Sequence, residues 1–364
     1  MPPELAWERC VRPRQGGAEP RALRASAPRP DRALLVQFHN AQLATPKGLV
    51  AGELWIQHGK IVDPESRFWQ RNLSAADRRI DCGGMIIAPG FIDLHLQQAF
   101  GVDFTSLGAE SADAAAEAEK AIQHVCEALP AYGVTSFCPT IRPTDPSSYL
   151  RLRTRLRPSA SDSASAAAAV VGLHLDGPFL SQDHVASGHD PTRILPSLSP
   201  RSSDVSDVLT AVYGSLDAGG PPPPAIVTLA PEIPGSLQAV RTLRAAGVVV
   251  GLGRTAANLA ECQRAVQAGA TMVTSLLDSM PPFHHRDPGP MGLLARDGVA
   301  DGVANADSEE EAIFYSMVLD RSRSHRNSVR CGAVQCGVMW CGAVRCGAVR
   351  CGAVRCSAVQ CGAV

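Results

Sequence analysis

The sequence lacks the features that would point to a membrane or a nucleic acid as its partner. No uninterrupted apolar run reaches about 18 residues, so no transmembrane helix is predicted. No apolar N-terminal segment of the signal-peptide type is present either. The formal net charge of -1 gives no electrostatic reason to expect nucleic acid or an anionic membrane. These absences predict a soluble cytoplasmic protein with a small-molecule partner.

Cysteine is scarce in the body of the chain. Of the 12 cysteines, five are scattered through the body, which predicts reduced thiols and no disulfide framework. The other seven lie in the last 34 residues, at a strict spacing of five: Cys331, Cys336, Cys341, Cys346, Cys351, Cys356 and Cys361.

Both ends of the chain lack the periodicity of a folded element. Residues 1–33 are rich in proline and arginine, and we predict a disordered extension. A transit peptide is the alternative, but Glu4, Glu8 and Glu19 fit it poorly. Residues 330–364 repeat CGAVR and close variants, a period that matches neither helix nor strand. We therefore predict a disordered repetitive tail; translation of a tandem DNA repeat explains it better than soft-metal binding does.

Between these ends, the sequence contains two regions with different patterns of predicted secondary structure. Residues 34–86 read as short strands separated by turns, which predicts a small β-layer. Residues 87–329 alternate apolar strands with helical stretches, such as 108–130 and 255–269, which is typical of βα units. The predicted strands are 91–96, 133–140, 170–176, 225–230, 247–252, 271–277 and 313–319. Seven such units predict an incomplete (β/α)8 TIM-like barrel that lacks strand 8.

Barrel enzymes place their chemistry at the carboxyl ends of the strands. The polar residues at these ends are Asp93, His95, Gln97, His174, Asp176, Arg254, Ser275, Asp320 and Arg323. A divalent metal needs about three nitrogen or oxygen ligands; Asp176 is a good candidate and His95 another, whereas Arg254 has no lone pair to offer. The alternatives are that His95 and His174 are hydrogen-bonded core histidines and that Asp176 is a turn or helix-capping residue.

Several collinear motifs carry a family resemblance. They are APGFIDLHLQQAFGVDF (88–104), GVTSFCPT (133–140), GLHLDGPF (172–179), IVTLAPE (226–232), AVQAGATMVTSLLDSMPPFHHRDPG (265–289) and IFYSMVLD (313–320). Together they resemble N-acetylglucosamine-6-phosphate deacetylase, of the amidohydrolase superfamily. The resemblance implies a metal-dependent hydrolase that converts N-acetylglucosamine 6-phosphate to glucosamine 6-phosphate and acetate. It also implies a homo-oligomer, which the truncation of the barrel puts in doubt.

The resemblance places the family's metal ligands at three positions of this chain. Its glutamate falls at Asp176, and its two histidines fall at Arg254 and Ser275. Only Asp176 is still able to bind zinc or a similar divalent ion, and His95 is the candidate substitute ligand. The family's general acid/base aspartate belongs to strand 8, which we predict to be missing.

The resemblance also maps substrate-binding positions. The family's Asn-Ala pair falls at Asp278 and Ser279, and its substrate-contacting histidine falls at Arg323. Arg286 of FHHRDPG is unchanged and resembles a phosphate anchor, a role that suits a guanidinium. The expectation is therefore a deacetylase relative with impaired catalysis. The alternatives are a non-catalytic protein that binds an amino-sugar phosphate, and a decayed coding sequence.

Overall fold

The computed structural model of the chain contains two compact units, divided between Pro89 and Gly90. The residues that it describes are 34–45, 48–63, 76–111, 113–159, 167–184, 189–198, 204–217, 219–294, 313–318 and 358–360. The predicted N-terminal extension, most of the repetitive tail, Asp320 and Arg323 lie outside the described residues.

The first unit contains a five-stranded sheet, as the short strands and turns of its sequence predict. Its strands are β1 (Val36–Thr45), β2 (Gly48–Gln57), β3 (Lys60–Val62), β4 (Arg78–Asp81) and β5 (Ile86–Ile87). The order is β3-β2-β1-β4, and β5 also pairs with β1. The β1–β2 and β2–β3 ladders are antiparallel, whereas β4 and β5 run parallel to β1.

The second unit is a parallel barrel that is nearly closed, which confirms the predicted incomplete TIM-like fold. Its strands are β6 (Phe91–Leu96), β7 (Gln98–Ala99), β8 (Val102–Asp103), β9 (Val134–Ile141), β10 (Ala169–Val170), β11 (His174–Asp176), β12 (Ile226–Leu229), β13 (Val249–Leu252), β14 (Met272–Val273), β15 (Phe314–Val318) and β16 (Ala358–Gln360). From β6 the ladders run in parallel through β9, β11, β12, β13 and β14 to β15, and β10 pairs beside β11 on β9. The pair β7–β8 forms a separate antiparallel hairpin.

Helices follow the barrel strands and cover the apolar core. They are α1 (Ala114–Ala128), α2 (Pro146–Arg155), α3 (Val205–Tyr213), α4 (Ser236–Ala245) and α5 (Leu259–Gln267). Strand residues such as Phe137, Leu175 and Val227 are fully buried in one cluster with the inner faces of these helices. None of the helices in the described part of the chain has the length and apolar character needed to cross a membrane.

Two strands depart most from the lengths that their sequence patterns predict. The predicted strand 170–176 is divided into β10 and β11 at Gly172, where φ is +157° and an added Cβ would lie 2.8 Å from that of Ala225. The predicted strand 271–277 ends at Val273 because Ser275 adopts a φ of +51°, which takes the backbone out of the ladder. Residues 274–277 therefore belong to a loop at the carboxyl end of the barrel.

A short strand of the pentad repeat continues the sheet, which was not predicted. β16 pairs in parallel with β15, with Ser316 opposite Ala358. It lies beside β6, but no backbone ladder joins these two strands among the described residues, so the barrel stays incomplete. A five-residue period gives no strand signal in the sequence. The exposed edge of β15, however, presents unpaired backbone groups that a proline-free segment can bond.

The caps of α2 and α1 differ in a way that permits a matched stability test. Asp145 caps α2 by accepting a hydrogen bond from the Ser148 amide at 2.9 Å, whereas Asp113 makes no side-chain cap bond at the start of α1. The Ser147 hydroxyl and this amide lower the pKa of Asp145. We expect Asp145→Ala to cost about 1 kcal/mol in urea unfolding and Asp113→Ala less than about 0.5 kcal/mol. Equal losses would contradict the assigned cap.

Candidate functional site

The carboxyl ends of several barrel strands bring polar side chains together around Asp176. This residue is the last of β11 and is fully buried. Its Oδ2 accepts hydrogen bonds from Arg254 Nε at 2.7 Å and from Gln97 Nε2 at 3.1 Å. Arg254 follows β13 and Gln97 follows β6, so the strand-end positions that the sequence singled out do converge.

Two imidazoles complete the surroundings of the same carboxylate oxygen. His95 Nε2 lies 3.4 Å from Asp176 Oδ2, and His189 Nε2 lies 3.3 Å from it. Both histidines are buried, and neither ring nitrogen of His189 has a well-aligned hydrogen bond to the described residues. Sequence reasoning missed His189, which stands in a loop between β11 and α3. A histidine directly before an Asp-Pro pair was its only signal.

Backbone contacts on both sides hold Arg254 in place. It has a φ of +49°, which is uncommon for a residue other than glycine. Its carbonyl accepts a hydrogen bond from the Ser181 amide at 2.9 Å, and the Thr255 amide donates to the Ser279 carbonyl at 3.2 Å. Gly253 must remain small, because an added Cβ would lie 2.2 Å from Thr274 Oγ1. The backbone of the turn after β13 therefore holds the Arg254 guanidinium in position beside Asp176.

Asp176 and Arg254 form a buried ion pair. Burial by itself raises the pKa of Asp176, but the Arg254 guanidinium and the neighbouring imidazoles reverse that effect and hold the pKa well below its usual range. The carboxylate is therefore ionised, and its charge is balanced inside the protein by Arg254, which is only 2% exposed. Charge-assisted bonds of this kind are among the stronger ones in proteins. Asp176 is thus a partner of Arg254 and not the turn or capping residue of the alternative interpretation.

His174, by contrast, is a satisfied core histidine. Its Nδ1 donates to the Leu94 carbonyl at 2.7 Å, and its Nε2 accepts from the Thr228 hydroxyl at 2.7 Å. Burial lowers the pKa of His174 to about 3, so the ring is neutral. The alternative of a hydrogen-bonded core histidine is confirmed for His174. Its ring packs edge-on against the ring of His95, with the two ring centroids 4.7 Å apart.

The loop after β14 closes the site with two serines. Ser275 Oγ lies 3.2 Å from His95 Nδ1, and the Ser279 hydroxyl accepts from Arg254 Nη1 at 3.1 Å. Both serines have a φ near +50°, as does Leu277 at +69°. Such backbone strain concentrates at functional sites. Ser275 and Ser279 therefore contact the two side chains, His95 and Arg254, that flank the Asp176 carboxylate.

The loop 281–289 extends from this serine loop and presents Arg286. Asp287 Oδ1 accepts from the amides of Leu259 and Gly289, both at 3.0 Å, and so fixes the loop to the start of α5. The rings of His284 and His285 lie against each other with centroids 4.3 Å apart and planes tilted by 40°. The Arg286 side chain is exposed and forms no hydrogen bond or ion pair with the described residues. The Arg286 guanidinium is therefore exposed on a loop whose position Asp287 fixes.

The remaining predicted substrate positions contribute less to this arrangement. Asp278 is half-buried, and its amide donates to the Ser275 carbonyl at 2.8 Å. Among the described residues, the Asp278 carboxylate does not contact the Asp176 side chain. Arg323 lies outside the described residues.

Comparison with known proteins places this chain in a family. No family model matches the chain. Curated relatives do: N-acetylglucosamine-6-phosphate deacetylase of Danio rerio is 36% identical over 297 residues, and that of Homo sapiens is 37% identical over 298 residues. These alignments cover 81% and 82% of the chain. The chain belongs to the N-acetylglucosamine-6-phosphate deacetylase family.

Solved structures agree with this deacetylase family assignment. A mutant of the deacetylase from Mycobacterium smegmatis, in complex with N-acetyl-D-glucosamine-6-phosphate, has a TM-score of 0.57 and 25% identity, and covers 83% of this chain. The Pasteurella multocida enzyme has a TM-score of 0.58 over 82% of the chain, at 23% identity, which supports the fold. The chain spans 66% of the length of the vertebrate relatives and 67% of the mycobacterial chain.

The residues of this deacetylase relative do not fit a resident divalent metal ion. Amidohydrolases are generally metal-dependent, and zinc takes three or four N, O or S ligands. Among the described residues, no group of three His, Cys, Asp or Glu side chains is placed to hold a metal ion. Arg254, which has no lone pair and carries a permanent positive charge, bonds to the Asp176 carboxylate, where a metal ion would have to bind. Ser275 offers a hydroxyl, a poor substitute for an imidazole.

Proposed function

We propose that this chain binds an N-acetylated amino-sugar phosphate at the carboxyl end of its barrel and does not hydrolyse it by the metal-dependent route of its family. The observation that carries the proposal is the buried Arg254–Asp176 pair, with Arg254 Nε at 2.7 Å from Asp176 Oδ2. A carboxylate that already pairs with a guanidinium is not free to hold a divalent ion. We therefore derive no hydrolytic step for this site.

Binding is supported by the parts of the site that have kept their chemistry. Arg286 is exposed and free to bond a phosphate through two N–H groups. Its loop is fixed by Asp287, so little ordering entropy would be lost when the phosphate binds. Gln97, His95 and Ser275 offer hydrogen-bond donors and acceptors for sugar hydroxyl and acetamide groups. The curated relatives are named for an amino-sugar phosphate substrate.

The proposal is tested by measuring binding and turnover on the same purified full-length chain. N-acetylglucosamine 6-phosphate is titrated by calorimetry, and acetate release is measured with zinc or cobalt in excess. We expect a saturable binding heat and no acetate above the metal-only control. Acetate release that Asp176→Ala abolishes would overturn the absence of hydrolysis, and no binding heat from folded protein would overturn the ligand assignment.

The phosphate contact is tested at Arg286. A hydrogen bond between charged groups contributes about 1.5–3 kcal/mol, so Arg286→Ala is expected to raise Kd for the sugar phosphate about 10-fold to 100-fold. Arg241→Ala is the matched control, because Arg241 is an exposed arginine on helix α4. Its Kd should be unchanged. Equal affinities of the Arg286 and Arg241 variants would remove Arg286 from the proposed phosphate site.

A further inference from the structure

The negative charge of the buried Asp176 carboxylate is balanced by a side chain of the protein. A buried carboxylate needs a cation beside it or a proton on it. The carboxylate of Asp176 is fully buried, and the one cationic side chain bonded to it among the described residues is Arg254. The Arg254 guanidinium is itself fixed by Ser279.

The spacing of the surrounding nitrogens gives a second, independent observation. In a tetrahedral zinc site with bonds of about 2.0–2.1 Å, neighbouring ligand atoms are about 3.3–3.4 Å apart. His95 Nε2 and His189 Nε2 lie 3.4 Å and 3.3 Å from Asp176 Oδ2. Asp176 Oδ1 and both nitrogens of the buried His189 ring also lack hydrogen-bond partners among the described residues. Each imidazole nitrogen is therefore at a ligand-like distance from the Asp176 oxygen, but a guanidinium bonds to that oxygen, and as the described residues stand no three such side chains are placed to hold a metal ion.

We propose that Arg254 is a built-in cation that takes the place of the metal ion, so that the chain folds and keeps this cluster without any divalent metal. The guanidinium supplies one positive charge to Asp176 and excludes a metal ion by charge repulsion and by occupying the carboxylate oxygen. Removal of this side chain should therefore free the Asp176 carboxylate to bind zinc together with His95 and His189, once these side chains shift into place. This inference holds whether or not the chain binds a sugar phosphate.

The test compares zinc content in matched variants of the full chain. The seven cysteines of the pentad repeat carry thiols that are able to bind zinc on their own, so the informative quantity is the zinc lost when Asp176 is changed to Asn. Samples are equilibrated with zinc, desalted and measured by mass spectrometry of the metal. We expect no difference between the wild-type chain and Asp176→Asn. We expect a difference of about one zinc per chain between Arg254→Ala and Arg254→Ala/Asp176→Asn.

Thermal unfolding gives a readout that does not depend on counting metal ions. The Tm of the wild-type chain should be the same in EDTA and in zinc after cysteine alkylation. Zinc well above its Kd should raise the Tm of the alkylated Arg254→Ala chain by about 5–10 °C. If Arg254→Ala fails to fold without zinc, Arg254→Gln replaces it in this test, because glutamine removes the positive charge but retains a long polar side chain.

Two results would overturn the proposal. One is about one zinc per wild-type chain that Asp176→Asn removes, because the guanidinium would then not exclude the metal. The other is an Arg254→Ala or Arg254→Gln chain, soluble and folded, that gains no zinc and no Tm increase, because the guanidinium would then not occupy a metal's place. Neither result depends on acetate release or sugar-phosphate binding, so failure of the proposed function remains distinguishable.

Discussion

Replacing Arg254 by alanine in metal-free buffer is expected to lower the free energy of unfolding by about 3–5 kcal/mol. The reason is the Asp176 carboxylate, which would stay buried without its counter-charge. The loss of the bond to Ser279 adds to this cost. Urea denaturation followed by far-UV circular dichroism in EDTA measures the change.

The matched control is an ion pair that is more exposed to solvent. Arg142 and Asp103 form a salt bridge with 25% and 34% of their side-chain surfaces exposed, and exposed pairs contribute about 0–1 kcal/mol. Arg142→Ala should therefore cost far less than Arg254→Ala. The double variant Arg254→Met/Asp176→Leu should recover most of the loss, because apolar replacement of a whole buried pair is often close to neutral. Equal costs at Arg254 and Arg142, or no recovery in the double variant, would contradict a buried, paired charge.

Replacing Arg153 by methionine is expected to cost about 3 kcal/mol or more. Arg153 lies on α2, is 1% exposed and donates to four backbone carbonyls, those of Tyr213, Ser215, Pro221 and Pro222. Methionine fills much of the same space but leaves these carbonyls without their donors. The effect reaches the site because the Tyr213 hydroxyl donates to the carbonyl of Gly177, the residue after Asp176.

Arg157→Met is the control for Arg153. Arg157 lies just beyond the end of α2, is exposed, and donates only to the Thr154 carbonyl among the described residues. Its replacement should change the free energy of unfolding by less than about 0.5 kcal/mol. A similarly small effect at Arg153 would mean that water satisfies the four carbonyls and that the segment 213–222 does not depend on this arginine.

The barrel could be predicted from the sequence because its strands carry a strong local signal. Runs such as FIDLHL and AIVTLA are apolar, short and bounded by turn residues, and β6 and β12 form where they occur. The ends of the strands were less predictable. Ser275 leaves the β region through a positive φ that its own side chain does not demand. The pairing of β16 with β15 depends on a free sheet edge, which the repeat sequence does not encode.

The strand-end members of the site were predictable, whereas its loop member His189 and the arrangement of the side chains were not. The strand-end rule singled out Asp176, Arg254 and Ser275, and the structure brings them together. The rule gave no hint that Arg254 would bond directly to Asp176, since that contact joins residues 78 positions apart. His189 was missed because it belongs to a loop, and its approach to Asp176 is set by tertiary folding alone.

The most direct test of the central claim is a crystal of the chain grown with zinc and measured at the zinc absorption edge. The account predicts density for the Arg254 guanidinium against the Asp176 carboxylate and no anomalous peak beside that carboxylate. An anomalous peak within about 2.2 Å of an Asp176 oxygen, with the Arg254 side chain turned away, would contradict it.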